Sequence, residues 1–133
     1  MKTRLAPWPW LGVTCAALVL AGPAAAQTQK QIDWCNGKDN VGADVVISGC
    51  TAIIQSKQRS PNDLPTALNN RGNAYYAKKD YDRAIADYSE ALRLEPKFAL
   101  AFFNRSSAYR DKGENDRAIE DYIQAILLDP SLK

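Results

Sequence analysis

The chain contains no histidine among its 133 residues, and it has only three cysteines and one methionine. Without imidazole, Ser-His-Asp and Cys-His catalytic arrangements and histidine-based metal sites are excluded. The seven glycines are scattered, so there is no glycine-rich loop of the kind that holds a phosphate. The neighbouring acidic residues Asp80 and Asp82, or Glu120 and Asp121, fit helix caps and surface charges better than an acid–base pair. We therefore predict a protein that is not an enzyme, with no catalytic residue, no metal and no cofactor.

An excess of charge of one sign is also lacking. Seventeen Lys and Arg residues against fifteen Asp and Glu residues give a net charge of +2. Lys2 and Arg4, near the start of the chain, account for that excess. No basic cluster or stripe is present, so we predict neither a nucleic-acid partner nor an anionic membrane partner.

Residues 1–26 have the composition of a secretory signal peptide. Two basic residues form a positive start, residues 11–22 form an apolar core, and residues 24–26 are three alanines suited to cleavage. The apolar core is short for a membrane-spanning helix, although an uncleaved anchor is the alternative. We expect cleavage after Ala26 and a bacterial protein that is periplasmic or secreted.

The strongest feature present is an internal repeat of 34 residues. Residues 65–98 and 99–132, laid over each other, agree at 15 positions. In each copy, apolar residues recur at the three- and four-residue spacing of two successive amphipathic helices. Asp80 is placed to cap the second helix of the first copy, and Pro96 and Pro130 end the second helices. A fixed period of this length predicts stacked helical hairpins, each burying its apolar face against its neighbour.

The first copy reads R-G-N-A-Y-Y and then Y-D-R-A-I-A-D-Y-S-E-A-L-R-L-E-P. This pattern of small, aromatic and proline residues resembles the tetratricopeptide repeat. The second copy departs from it modestly, with Ser106 in place of glycine and Asn115 in place of the aromatic Tyr81. The resemblance implies an all-α fold, an α-solenoid of stacked helical hairpins with two clear repeats at 65–98 and 99–132.

Members of this family bind extended or helical peptides on a concave face lined by the first helices of successive hairpins. The resemblance therefore implies a protein-interaction module with these peptide-binding residues: Asn69, Asn70, Asn73, Tyr76, Phe103, Asn104, Ser107 and Arg110. Asparagine both donates and accepts hydrogen bonds and so suits a peptide backbone, while Arg110 suits a carboxylate. The alternative is that these are ordinary polar residues of an exposed helix face. The sequence does not identify the protein or peptide partner.

Some family members hold a C-terminal carboxylate with a clamp of lysines, asparagines and an arginine. Asn73 and Asn104 match its two asparagines, but Asn69 stands in place of the first lysine. The third repeat that would supply the other cations is missing. The clamp is therefore not predicted.

Arg71 and Arg105 occupy a position where the family pattern more often has leucine. Asp87 and Asp121 follow them by 16 residues in each copy. We predict two structural ion pairs, Arg71–Asp87 and Arg105–Asp121, that join the two helices of each hairpin. The alternative is four solvated charges, since an exposed pair contributes only about 0–1 kcal/mol.

Cys35 and Cys50 are the two cysteines that signal cleavage would leave behind, in a compartment where disulfides persist. We predict a disulfide between them, because closing a loop of this size stabilises a fold by roughly 3 kcal/mol in the chain-entropy model. Two thiolates without histidine make a poor metal site. The C-x-x-C spacing of a redox pair is absent.

Residues 27–64 are expected to form a degenerate N-terminal repeat that caps the first true one. A second helix is predicted from about residue 44 to residue 57, because its apolar residues follow the pattern of the second helix in the first repeat. A short helix holding Ile32 and Trp34 would replace the missing first helix.

The second helix of the last hairpin carries an apolar face with no predicted helix after it: Ile119, Ile123, Ile126, Leu127 and Leu128. An uncovered apolar face in a repeat protein favours association. The alternative function is therefore a structural subunit that forms a homodimer through this hairpin.

Overall fold

A computed structural model of the chain describes residues 23–56 and 63–133. Within these ranges the chain forms six α-helices and no strand: α1 (Pro23–Cys35), α2 (Ala43–Gln55), α3 (Asp63–Ala77), α4 (Tyr81–Leu94), α5 (Ala99–Lys112) and α6 (Asn115–Leu128). Short 3₁₀ turns cover Lys38–Asn40 and Pro130–Leu132. Most of the predicted signal peptide, residues 1–22, lies outside the described residues, and its alanine cleavage site falls at the start of α1.

The helices pair in chain order into three hairpins, α1 with α2, α3 with α4 and α5 with α6. Consecutive hairpins pack through α2 against α3 and through α4 against α5. This arrangement confirms the predicted all-α solenoid of stacked helical hairpins.

The ends of the helices follow from local chemistry. The Asp80 carboxylate accepts a hydrogen bond from the Arg83 backbone N–H at 3.2 Å and caps α4, as the sequence predicts. Gly113 ends α5 in the left-handed region, with φ of 91°. That conformation costs a glycine little.

Small residues allow the hairpin helices to approach closely. Ala84, Ala91, Ala101, Ala108 and Ala125 are all fully buried at helix contacts. Because alanine presents only a methyl group, the larger side chains beside it fill the space between the backbones. The alternation of small and large residues in the repeat is therefore the packing pattern of the core.

Gly72 makes room for the largest buried side chain of the core. A Cβ atom at this position would lie 2.6 Å from Cε1 of Tyr88, and Tyr88 is only 1% exposed. In the next hairpin Ser106 replaces the glycine, and the corresponding Tyr122 is 37% exposed. Tyr88 is also covered by Ala108 of the next hairpin, whereas no α-helix among the described residues follows α6 to cover Tyr122.

The N-terminal hairpin is held by the disulfide between Cys35 and Cys50. Cys50 is fully buried and takes the place that Tyr88 has in the next hairpin. Gly49 lets the two helices meet closely, since a Cβ there would lie 2.8 Å from Cβ of Trp34. This hairpin therefore replaces a large aromatic core residue with a covalent link.

The first helix of this hairpin is longer than the sequence predicts. A short helix around Ile32 and Trp34 is expected, whereas α1 has 13 residues from Pro23 to Cys35. Its first two turns consist largely of Ala, Gln and Lys, which favour helix but carry no apolar periodicity. The apolar periodicity that predicts the other helices is therefore absent from the first two turns of α1.

Arg71 joins three helices through its guanidinium group. Its Nε and Nη2 donate to the two carboxylate oxygens of Asp87 on α4, both at 2.8 Å. Its Nη1 donates to Oγ1 of Thr51 on α2 at 3.0 Å. The hydrogen bond to Asp87 is the main cause that raises the pKa of Arg71. The predicted pair therefore also connects the hairpin to the preceding one.

Arg105 repeats this arrangement one hairpin later. It donates to both carboxylate oxygens of Asp121 on α6, at 2.6 and 2.8 Å, and to Oγ of Ser89 on α4 at 2.9 Å. Burial acts to lower the pKa of Arg105, but the hydrogen bond to Asp121 and the charge of Asp121 outweigh it, so the pKa rises. The same arrangement of arginine hydrogen bonds thus fixes the packing of both repeats.

We expect the substitution Gly72→Ala to destabilise the fold, because the added methyl group would overlap the Tyr88 ring. The expected loss is about 1–3 kcal/mol, measured by urea unfolding. The matched control is Ser106→Ala, where a Cβ is already accommodated, and its free energy of unfolding should change little. Equal stability of Gly72→Ala and the unchanged chain would contradict the packing described for Tyr88.

We expect Arg71→Leu to lower the free energy of unfolding by roughly 3 kcal/mol, because it leaves the buried Asp87 carboxylate without its cation. The double substitution Arg71→Leu with Asp87→Ala should recover part of that loss, since no unpaired charge remains. Thermal and urea unfolding of the three proteins measures both effects. A gain in stability for Arg71→Leu alone would show that the ion pair is not structural.

Candidate functional site

The first helices of the three hairpins, α1, α3 and α5, form a continuous surface that we call the groove face. α3 contacts both α1 and α5 directly, whereas the second helices α2, α4 and α6 contact one another less. The first helices therefore lie closer together than the second helices. The stack accordingly curves with the groove face on its inner side.

On α3, the groove face presents Asn70, Asn73 and Tyr76. Asn70 is half-buried and donates from Nδ2 to Oδ1 of Asn36 at 3.3 Å. Asn73 is exposed, and its Oδ1 accepts a hydrogen bond from the Tyr88 hydroxyl at 2.7 Å. This leaves the Nδ2 group of Asn73 as a donor that faces solvent.

Asn69 differs from the prediction, because its side chain is buried rather than available to a ligand. It is 2% exposed, and its Oδ1 accepts a hydrogen bond from Nδ2 of Asn104 on α5 at 3.0 Å. The two asparagines thus join α3 to α5 inside the stack. The family resemblance implies Asn69 as a ligand contact, but α5 of the next hairpin covers its side chain.

On α5, Ser107 and Arg110 lie on the groove face, and Phe103 lies to one side of it. The Ser107 hydroxyl donates to the Phe103 carbonyl oxygen at 3.3 Å. The Phe103 ring packs against the Tyr122 ring of α6, with centroids 6.2 Å apart. Phe103 is thus turned toward α6, its partner helix in the last hairpin, and is half-buried.

Tyr76, Arg110 and Asp111 form a polar cluster across α3 and α5. The Tyr76 hydroxyl donates to the Asp111 carboxylate, and Nε of Arg110 donates to the same carboxylate at 3.0 Å. The hydrogen bond from Tyr76, followed by that from Arg110, holds the pKa of Asp111 below its usual range. The same hydrogen bond raises the pKa of Tyr76. Asp111 therefore stays ionised and forms a salt bridge with Arg110.

Side-chain hydrogen bonds of asparagines join neighbouring hairpins, and the sequence analysis does not predict them. Asn36, Asn70 and Asn104 stand 34 residues apart, and each takes part in a bond to a neighbouring hairpin or turn. Their spacing equals the repeat period, which was a signal available in the sequence. The degenerate first copy hid it, because the rest of residues 27–64 does not align at that offset.

Two clefts border α1 and α3, one at each end of the shared helix face. One is lined by residues of α1, α2 and the start of α3, including Ile32, Ile53 and Thr66. The other is lined by residues around the first turn and by Asn70 and Asn73. The surface beside α3 is therefore recessed at these two clefts.

Within residues 23–56 and 63–133, no group of three or more Cys, Asp or Glu side chains is placed to hold a metal ion. No helix in the same ranges has the length and apolar character needed to cross a membrane. The chemistry of the groove face is that of hydrogen-bond donors and acceptors with one arginine.

Comparisons with known proteins identify the family. Family models described as tetratricopeptide repeat match residues 65–98 and 99–132. The chain is also 38% identical over 42 residues to tetratricopeptide repeat protein 4 of Bos taurus, a match that covers 32% of this chain and 11% of that protein. The chain belongs to the tetratricopeptide repeat family.

Solved structures with the same fold include two repeat domains of Spaghetti (RPAP3), each bound to the HSP90 peptide SRMEEVD. The second domain is 25% identical, with a TM-score of 0.66, and the match covers 80% of this chain and 98% of that one. The first domain is 21% identical, with a TM-score of 0.62, over 79% of this chain and 75% of that one. Likeness to the first domain shows the fold alone.

Proposed function

We propose that this chain is a non-enzymatic protein-interaction module that binds an extended peptide or protein segment on its groove face. The observation that carries the proposal is a set of polar side chains on adjacent first helices: the exposed Asn73 on α3 and Arg110 on α5, with the half-buried Ser107 beside them. The amide and guanidinium groups can donate to the carbonyl oxygens of an extended backbone, and the Ser107 hydroxyl oxygen can accept from its N–H groups. The similar domain of Spaghetti, which is bound to a peptide, supports this use of the fold.

Recognition of the backbone fits these residues better than capture of a terminal carboxylate. The Nδ2 group of Asn104 already donates to Asn69, and Arg110 is already paired with Asp111. A free carboxylate would have to compete with Asp111 for the arginine. We therefore propose a partner segment that crosses the groove rather than one that ends in it.

We also propose that the protein works in the bacterial cell envelope, in the periplasm or outside the cell. The signal-like composition of residues 1–26 supports this. The disulfide between Cys35 and Cys50 supports it independently, because such bonds persist in oxidising compartments.

Selection of a displayed library of random dodecapeptides on the immobilised chain tests the binding proposal. We expect enriched peptides whose affinity falls about tenfold or more in the variant Asn73→Ala with Arg110→Ala, because two hydrogen-bond donors to the ligand are lost. The matched control, Asn115→Ala with Arg117→Ala, removes the same side-chain types from exposed positions on α6 and should bind normally. Thermal unfolding of both variants verifies that each is folded. Failure to enrich any peptide, or equal losses in both variants, would refute the proposal.

A second candidate function, assembly into a homodimer, is favoured by the apolar face of α6. Ile119, Ile123 and Leu127 are 57%, 44% and 70% exposed, while Ile126 is half-buried. At the positions of Ile123 and Leu127, α4 has the polar residues Ser89 and Arg93. We propose that a second copy covers α6 across a twofold axis.

We expect sedimentation velocity to show a dimer whose population rises over the micromolar range. Ile123→Asp should yield a monomer, because the charge would be buried in the interface. The control Ala86→Asp places the same charge on an exposed site of α4 and should leave the dimer intact. A monomer at high micromolar concentration would contradict the assembly.

A further inference from the structure

The cleft at the N-terminal end of α3, which we call the anchor cleft, has an apolar floor. It is lined there by Ile32, Cys35, Ile53 and Ala67 and has a volume of about 270 Å³. An engineered cavity of about 150 Å³ already accommodates a benzene ring. The anchor cleft therefore has space for one large aliphatic or aromatic side chain.

The rim of the anchor cleft is polar and nearly uncharged. Besides the apolar floor, the cleft is lined by Thr28, Gln31, Asn36, Ser56, Asp63 and Thr66. Asp63 is the one formally charged residue among these described lining residues. An apolar floor with a few polar groups around it is the usual composition of a pocket that buries a side chain and orients the chain attached to it.

The anchor cleft is continuous with the groove face. Thr66, Asn70 and Asn73 follow one another on α3 at spacings of four and three, so they share one side of the helix. Thr66 lines the anchor cleft, while Asn70 and Asn73 line the neighbouring cleft. Cys35 and Asn36 line both. A ligand lying along this side of α3 would reach both clefts.

The distance along α3 sets the geometry of such a ligand. From Thr66 to Asn73 the helix advances about 10 Å, at about 1.5 Å per residue. An extended peptide covers this length with about three residues, at about 3.3 Å each. The part of a peptide held at Asn73 is therefore about three residues from any side chain that enters the anchor cleft.

We infer that the anchor cleft takes one large aliphatic or aromatic side chain of the bound segment, about three residues from the backbone held by Asn73. This inference rests on the proposed peptide binding and adds the class of ligand. The preferred partners are extended segments with a single apolar anchor. The disulfide partner Cys35 forms part of the floor, so the covalent link that holds the N-terminal hairpin also fixes the shape of the cleft.

The same selection with random dodecapeptides tests the inference through the sequences recovered. We expect enrichment of Leu, Ile, Met or Phe at one fixed position. Thr66→Tyr, which places a ring at the mouth of the cleft, should weaken binding of the selected peptides roughly tenfold to a hundredfold, because the anchor loses its apolar burial. The matched control is Ala86→Tyr, at an exposed position on the second helix α4, which lies outside the groove face and the cleft and should bind normally. A second variant, Ile32→Asn, makes the floor polar and should weaken binding in the same way.

The outcomes separate this inference from the function on which it rests. Peptides that require Asn73 and Arg110 but show no apolar preference, and that tolerate Thr66→Tyr, would overturn the anchor cleft and leave peptide binding in place. If no peptide is enriched, both fail. If the apolar preference emerges only after residues 57–62 are replaced by a Gly-Ser segment, the chain itself occupies the cleft, and the inference is wrong.

Discussion

The guanidinium group of Arg71 is the contact on which the arrangement of the hairpins most depends. It binds both oxygens of Asp87 within its own hairpin and the hydroxyl of Thr51 in the preceding one. Because the planar fork of arginine fixes the direction of each hydrogen bond, the contact sets the angles between α2, α3 and α4 as well as the distances between them. Arg105 repeats it with Asp121 and Ser89, so the stack is built from one unit applied twice.

The groove face follows from this fixed stacking. With the hairpins held in place, the first helices lie near enough for Asn36 to pair with Asn70 and for Asn69 to pair with Asn104. These bonds order the polar surface before any ligand arrives, and a preorganised surface loses less entropy on binding. Asn73 remains exposed and directs its unused donor to solvent.

Much of the fold could be predicted from the sequence, because the 34-residue period and the small residues at helix contacts both report packing. The Arg71–Asp87 pair was also visible as a spacing of 16 residues. The additional hydrogen bond from Arg71 to Thr51 could not be predicted, because Thr51 lies in the degenerate hairpin, where the 34-residue period is lost. The burial of Asn69 could not be predicted either, because the family resemblance indicates which side of the helix faces the groove, whereas the neighbouring hairpin decides which polar residues on that side are covered.

The anchor cleft could not be predicted, because it arises where α1, the end of α2 and the start of α3 meet, and the first of these helices has little apolar periodicity. It is the part of the groove face that distinguishes this chain from two stacked repeats alone. The disulfide from Cys35 to Cys50 stands in for the missing aromatic core of that hairpin. The unusual hairpin thereby contributes both a stable end to the stack and a shaped surface.

The central claim is that the first helices bind a peptide together, and chemical-shift mapping of the ¹⁵N-labelled chain with a selected peptide tests it most directly. The account predicts that the backbone amides of Thr66, Asn73 and Ser107 shift together with a single affinity. Shifts confined to α6, around Ile123 and Leu127, would contradict it, because they would place the peptide on the apolar end of the stack.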